Sequence, residues 1–436
     1  MIAAAPARRT TELGLIVLAA LVTAGGYMLA SLGKSADLPA NLVPFLLVIL
    51  ALLGAAHFAM RRLARHADGV LLPMAGLLNG IGYVFIARLD PDKAGLQAVW
   101  TAVGVGAFVA TLAVVRRARD LERYRYTFAL VGIGLLLMPL LPGIGRNING
   151  SRIWIRLGPL GFQPGEVAKV ALAIFFAGYL VEKRELLQTF SRRIGSVGLP
   201  DPKYLGPVFA AWSFSLVVMI FERDLGSSLL FFALFVAMLW VATARVFYLF
   251  MGLGLFLVGA GVAYNRFGHV QSRVEIWLDP FQDVSGRGFQ LVQSLFAFGS
   301  GGVAGRGISL GSPNRIPAVT TDFIFAAIGE ELGLVGTTAV VIGFLLMVGV
   351  GLRIAVQARN DFEKLLACGL TVILAVQTFI ILGGVTRLVP LTGITLPFMS
   401  YGGSSLLANY VLLALLLRVS SDSAEREAAV DETVAA

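Results

Sequence analysis

Residues 13–32 read LGLIVLAALVTAGGYMLASL, a run without a single charge. As a helix this stretch rises about 30 Å, the thickness of a bilayer's hydrocarbon core. It exceeds the roughly 7–15-residue apolar core of a secretory signal, so Arg8 and Arg9 before it mark a retained first span. Eleven more apolar segments follow, near 42–60, 70–87, 96–115, 126–141, 165–181, 207–221, 225–243, 246–265, 323–352, 365–385 and 401–418. The expected fold is all-α: a polytopic integral membrane protein with about twelve transmembrane helices.

Composition agrees. A chain of 436 residues would ordinarily suggest two or three soluble domains. Here 57% of residues are apolar and 14% charged, with a mean hydropathy of +0.82, whereas soluble domains carry about 25% charge. The net charge of +9, from 35 Lys and Arg against 26 Asp and Glu, would suggest nucleic acid in a soluble chain. In a membrane protein basic residues first orient the spans, and no nucleic-acid partner is expected. One cysteine, Cys368, excludes an intramolecular disulfide. The histidines His57, His66 and His269 have no metal-like spacing.

Basic residues alternate between the gaps. One set holds Arg8/Arg9, Arg61/Arg62/Arg65, Arg116–Arg125, Lys183–Lys203, Arg245, Arg353–Lys364 and Arg418. By the positive-inside rule that set is cytoplasmic, as are both termini. The remaining basic residues fall in outward loops, where orientation alone would not put them. The first, Pro142–Gln163, carries Arg152 and Arg156. The second, Arg266–Asp322, is 57 residues long, carries Arg273 and Arg306, and is too long for a mere connector. A third loop, near Arg387, leads into PLTGITLPFMSYGGSS. Within the second, GSGGVAGRG (299–307) lacks the Gly-Lys-Ser/Thr of a phosphate loop, and FQLVQSLFAF (289–298) is short for a span and reads as an interfacial or re-entrant helix. The polar tail 421–436 is expected to be disordered.

Charges at the membrane are costly, so each is a functional candidate. Glu166 and Lys169 sit three apart behind Pro164 and share a helix face. They read either as a self-satisfied ion pair or as a lysine presented to an anion. Glu222, Arg223 and Asp224 form a charged hairpin, either structural or part of a site. Asp322 stands at the start of the 323–352 span, as an N-cap or as a reactive carboxylate. Glu330 and Glu331 lie too far in to cap and need partners, for which the outward arginines are natural. Arginine forks bind phosphate, and a nearby carboxylate can take a proton from an attacking hydroxyl. That pairing suits a transferase acting on a phosphate-activated lipid.

Four stretches resemble the SEDS family (shape, elongation, division and sporulation), whose members are RodA- and FtsW-like. They are NGSRIWIRLGPLGFQPGEVAKV (149–170), RDLGSSLL (223–230), the run from WLDPFQDV to TDFIFAAIGEELGLVG (277–336), and PLTGITLPFMSYGGSS (390–405). The resemblance implies a peptidoglycan glycosyltransferase that polymerises lipid II at the outer face of the cytoplasmic membrane. It makes Asp322 the catalytic residue and matches Trp154 and the Gln163, Pro164, Glu166, Lys169 motif to the family's. Lys169, Arg152, Arg156, Trp154, Glu166, Arg273, Arg306, Glu331 and Ser404 become candidates for binding substrate. It also implies a class B penicillin-binding protein as partner.

The family's ten-helix core would occupy 67–420, with residues 1–66 an additional N-terminal pair. The sequence departs from the family in lacking the glutamate usual before TDF, where it reads Ile316-Pro317-Ala318-Val319-Thr320. The expected reaction is inverting. An acceptor hydroxyl attacks the anomeric carbon of an undecaprenyl-pyrophosphate-linked glycan, with Asp322 as general base. A divalent cation, Mg or Mn, is an optional assistant, since no dedicated cage is visible. Membrane lipids surround the whole. Two rival readings are a lipid II flippase and a noncatalytic scaffold of the elongation or division machinery. The lack of a long N-terminal extension favours the RodA-like branch.

Overall fold

The structure, a computed structural model, describes residues 9–35, 42–148, 151–157, 160–188, 190–194, 197–200 and 205–435. Fourteen α-helices appear among them: α1 (Arg9–Ser35), α2 (Leu42–Leu63), α3 (Leu71–Leu89), α4 (Pro91–Val114), α5 (Arg125–Leu137), α6 (Pro164–Gln188), α7 (Gly206–Phe221), α8 (Leu225–Thr243), α9 (Phe247–Arg266), α10 (Gly268–Leu278), α11 (Phe289–Gly301), α12 (Ile324–Gln357), α13 (Asp361–Val385) and α14 (Gly403–Ala435). The twelve apolar segments read from the sequence coincide with α1–α9 and α12–α14. Ten of these helices are long and apolar enough to cross a membrane, and α5 and α7 are shorter, with 13 and 16 residues. The chain is a multi-pass membrane protein.

Caps start several helices where the sequence supplies a short polar side chain. Asp90 accepts from Lys93 N (3.2 Å) ahead of Pro91 in α4, and Asn360 from Phe362 N (2.8 Å) in α13. The most enclosed spans are α13 and α14, and the most lipid-facing are α2 and α9. α13 packs on α6, α8 and α12, and α14 on α4 and α6. The N-terminal pair joins through α1 against α3. Glu12 of α1, with 1% of its surface exposed, is paired with Arg61 of α2 and lies 2.8 Å from His57 Nδ1 of the same helix.

The all-α fold holds, with three features that the apolar runs did not reveal. Short strands accompany the helices. The first long loop folds into a three-stranded antiparallel sheet, β1 (Gly145–Ile148), β2 (Ser151–Leu157) and β3 (Leu160–Phe162), and the α6–α7 connection carries a hairpin, β4 (Phe190–Ile194) and β5 (Val197–Pro200). The alternation Arg-Ile-Trp-Ile-Arg-Leu of β2 suits a strand. The tail is not disordered, since α14 continues to Ala435. Its polar residues have tertiary partners that composition cannot reveal. Asp422 accepts from Ala118 N (2.7 Å), and Arg426 pairs with Glu363 (2.6 Å). Finally, α12 is broken at Gly333, whose φ is +64°.

The glycine-rich segment 299–307 explains that break. Its backbone lies against α12, with Leu334 N donating to Gly302 O (2.9 Å), Arg306 N to Glu330 O (3.0 Å) and Gly307 N to Glu331 O (2.9 Å). A Cβ on Gly305 would come within 2.3 Å of Glu331 O, so only glycine permits the approach. The segment is a packing element whose irregular backbone finds its hydrogen bonds in α12. Glu331, fully buried, pairs with Arg88 (2.7 Å) and accepts from Ser309 N (3.1 Å). Its ionic partner thus comes from the end of α3, which sequence reading did not single out. Glu330 accepts from Ser312 N (2.8 Å) and lies 4.0 Å from Arg306.

Removing one partner of a buried ion pair strands the other, at a cost of about 3–5 kcal/mol. Arg88→Leu should therefore lower the thermal unfolding midpoint of the detergent-solubilised protein sharply. Arg88→Leu combined with Glu331→Leu should recover part of that loss. An unchanged midpoint in Arg88→Leu would show that the pair does not hold the 302–312 segment.

Candidate active site

The site grows from three element ends and one non-helical strap. Asp224 caps α8, accepting from Ser227 N (3.0 Å) and Ser227 Oγ (2.6 Å). Arg273 projects from α10. Asp322 lies one residue before Phe323, the residue that precedes α12. No side chain caps α12, so Asp322 is not spent on that role. The strap, residues 386–402 between α13 and α14, carries the PLTGITLPFMSYGG motif across all three.

The strap is hydrogen-bonded along its length. Arg273 Nη1 donates to Leu391 O (2.7 Å), and Gln377 Nε2 of α13 donates to Thr395 O (2.9 Å). Ser400 Oγ accepts from Leu396 N (2.9 Å) and donates to Thr321 O (2.5 Å), while Tyr401 N donates to Thr320 O (2.8 Å). Thr320–Asp322 and the SYGG turn are thus one unit. At the middle of the strap Gly393 has φ +79°, a left-handed conformation that suits glycine. A Cβ built there would lie 3.6 Å from Asp322 Oδ2 and 3.9 Å from both terminal nitrogens of Arg273. Carboxylate and guanidinium therefore flank the same small space.

Electrostatics follow from this enclosure. Burial pushes the Asp322 carboxyl up to about 6, against the opposing pull of Thr321 and of the Arg273 charge, while Asp224 adds to the rise. Asp224 is also raised, chiefly by burial and in part by Glu166. Burial lowers Arg273, and its two aspartates hold it up. Glu222, buried beside Asp224, is pushed up to about 8. A carboxylate near 6 is ionised at neutral pH yet basic enough to accept a proton.

The predicted residues divide. Asp322, Arg273 and Asp224 converge. Glu166 and Lys169 lie behind Asp224 as an ion pair of 2.6 Å, with Lys169 only 2% exposed. The second acceptor of Lys169 is Gln377 Oε1, also at 2.6 Å. Lys169 is therefore enclosed by Glu166 and Gln377. Ser404 accepts from Gln163 N (2.8 Å) and ties the start of α14 to that of α6. Arg152 donates its backbone N–H to Glu222 O (3.0 Å), fixing β2 over the α7–α8 turn, and its side chain reaches Leu141 O (3.3 Å). Trp154 packs beside Gly161 of β3, and Arg156 is exposed. Arg306 belongs to the glycine-rich segment, and Glu331 to the part of α12 that the segment lies against. Gln377 and Gly393 were missed, although Gln377 is the only amide in the apolar run LTVILAVQTFIILGG.

A cavity of about 220 Å³ runs from Arg273 between α7, α8, α9 and α13, lined by Trp212, Met219, Phe232, Phe256 and the strap residues Pro390–Thr392. It is an apolar groove with one cation at its end, suited to a lipid chain bearing an anionic head. Among the described residues no group of three or more acidic, histidine or cysteine side chains is assembled to hold a metal ion.

The chain is similar to known proteins over most of its length. Residues 89–425 match the FtsW/RodA/SpoVE family model, described as cell cycle protein. The peptidoglycan glycosyltransferase RodA of Mycobacterium tuberculosis is 46% identical over 426 residues, 95% of this chain and 91% of the relative. A structure described as "Structural coordination of polymerization and crosslinking by a peptidoglycan synthase complex" superposes with a TM-score of 0.66 at 29% identity, covering 82% of this chain and 98% of that one. The crystal structure of the rod shape determining protein RodA of Thermus thermophilus gives a TM-score of 0.56 at 25% identity, covering 82% and 97%. By the extent of the family match and of its closely similar relative, the chain belongs to the FtsW/RodA/SpoVE family of cell cycle proteins.

Proposed function

We propose that this chain is a peptidoglycan glycosyltransferase that polymerises lipid II, and that Asp322 is its general base. The observation that carries the reading is that Asp322 Oδ2 and the Arg273 guanidinium lie 3.6 and 3.9 Å from one point, a Cβ placed on Gly393, while Arg273 also lines an apolar groove. A prenyl chain in the groove would bring its pyrophosphate to Arg273. The 4-hydroxyl of the acceptor attacks the anomeric carbon from the opposite side, with its proton passing to Asp322. The bond from that carbon to the pyrophosphate oxygen breaks, and undecaprenyl pyrophosphate leaves with the bonding pair. Attack opposite the leaving group inverts the anomeric centre. Arg273 stabilises the charge that builds on the departing oxygen, and the membrane holds both lipid substrates in plane.

The basic residues support an orientation with both termini in the cytoplasm and the Asp322 end outside, in the bacterial cytoplasmic membrane. That end is where lipid-linked precursors await polymerisation. The likeness to a chain from a peptidoglycan synthase complex supports a class B penicillin-binding protein as partner. The identity to RodA favours the elongation role. A lipid II flippase would need charged groups along a path through the bilayer. Here the enclosed charges of α6 are closed off by Gln377, which favours an enzyme.

Purified protein in vesicles with lipid II tests this. Wild type should produce glycan polymer. Asp322→Asn should lose it by about 10²–10⁴-fold, and Arg273→Leu by about 10²–10³-fold, both with wild-type folded yield. Polymer made by Asp322→Asn at the wild-type rate would sink the assignment. Translocation of lipid II across the vesicle without polymer would favour the flippase.

A further inference from the structure

We propose that Gln377 is a positioning residue for the transfer reaction: its amide couples the buried Lys169 ammonium to the strap that carries Gly393 against Asp322. The inference rests on the reading of Asp322 as the base. Lys169 lies among apolar helices and needs more than one acceptor there. It finds Glu166 Oε2 and Gln377 Oε1, each at 2.6 Å. An ammonium can only donate, so its bond to Gln377 must be to the amide oxygen. That choice leaves the NH₂ group facing the other way, where it donates to Thr395 O at 2.9 Å. The amide has one orientation, and a charge-assisted bond enforces it.

Thr395 is two residues from Gly393. On the other side of Gly393, two residues away, Leu391 O accepts from Arg273. The turn at the reacting position is held from both flanks, by a guanidinium and by an amide whose direction a lysine sets. Gln377 is 1% exposed and touches none of the reacting groups, so its influence must pass through the strap. The Glu166–Lys169 motif accordingly acts on the site at a distance: it aligns Gln377, and Gln377 aligns Thr395.

If the clamp opens, the strap can lift from Asp322 and admit water. The groups facing Asp322 would remain Arg273 from α10, Asp224 at the start of α8 with Glu166 behind it, and Thr321 beside it. Relief of burial would shift the acid limb of activity to lower pH, since burial is what raises this carboxyl. The turnover itself should drop because a displacement of about 1 Å can cost roughly 10²-fold.

Two substitutions separate the clamp from mere packing. Gln377→Glu keeps the size and the acceptor for Lys169 but removes the donor to Thr395 O. Gln377→Leu removes both. Each is compared with wild type for lipid II polymerisation against pH, folded yield, and hydrogen exchange of a peptide spanning 390–396. Losing one hydrogen bond should speed exchange there about tenfold. The turnover should fall at least about tenfold, with KM within about twofold, and the acid limb should move to lower pH in Gln377→Leu. Wild-type exchange and wild-type kinetics in both variants would overturn the proposal. Faster exchange with unchanged kcat and an unmoved acid limb would overturn it too, because the bond would then be structural only. If wild type itself makes no polymer, the glycosyltransferase reading fails, and the exchange comparison still decides whether Gln377 clamps the strap.

Discussion

Non-helical backbone near the membrane survives only if its N–H and C=O groups find partners inside the protein. The strap between α13 and α14 meets that constraint with side chains from elements that the site requires anyway. Arg273 holds Leu391 O, Gln377 holds Thr395 O, and Ser400 joins Leu396 to Thr321. A helix could not bring its backbone so close to Asp322, and an unbonded loop would not be stable there. The position of the carboxylate therefore follows from how the strap satisfies its own hydrogen bonds.

The same enclosure sets the charge balance. Asp322, Asp224, Glu166 and Glu222 are set against Arg273 and Lys169, four acids against two bases. One guanidinium between two aspartates cannot fully offset the loss of hydration of both, and both carboxyls rise. Asp224 is further occupied by Ser227 and the cap of α8, whereas Asp322 faces the space beside Gly393. That difference is the ground for proposing Asp322 rather than Asp224 as the base. The segment against α12 uses a separate set, Arg88 with Glu331 and Ser312 N with Glu330, to hold the part of that helix before its break at Gly333.

Much of the fold could be read from hydrophobic run length, because a bilayer demands it residue by residue. All twelve apolar runs became helices. The strands of the first long loop were not anticipated: β2 alternates as a strand does, but its partners β1 and β3 are short, and the sheet depends on pairing and on Glu222 O. The helical tail was missed because its polar residues are satisfied by Ala118 and Glu363, far away in sequence. At the site, Asp322 and Arg273 stood out as charges that topology did not explain. Glu331 stood out for the same reason, yet its partner Arg88 makes it structural. Gln377 and Gly393 were invisible, since an amide in an apolar run and a glycine in a strap acquire meaning only from what they touch.

The pH dependence of kcat/KM for lipid II polymerisation by the wild-type protein tests the central claim most directly. A half-buried base that feels Arg273 and Asp224 should give activity that falls with decreasing pH around a midpoint near 6, where the carboxylate takes up its proton. A midpoint near 4, the ordinary value for an exposed aspartate, or no acid limb at all, would contradict the assignment of the proton-accepting role to the enclosed Asp322.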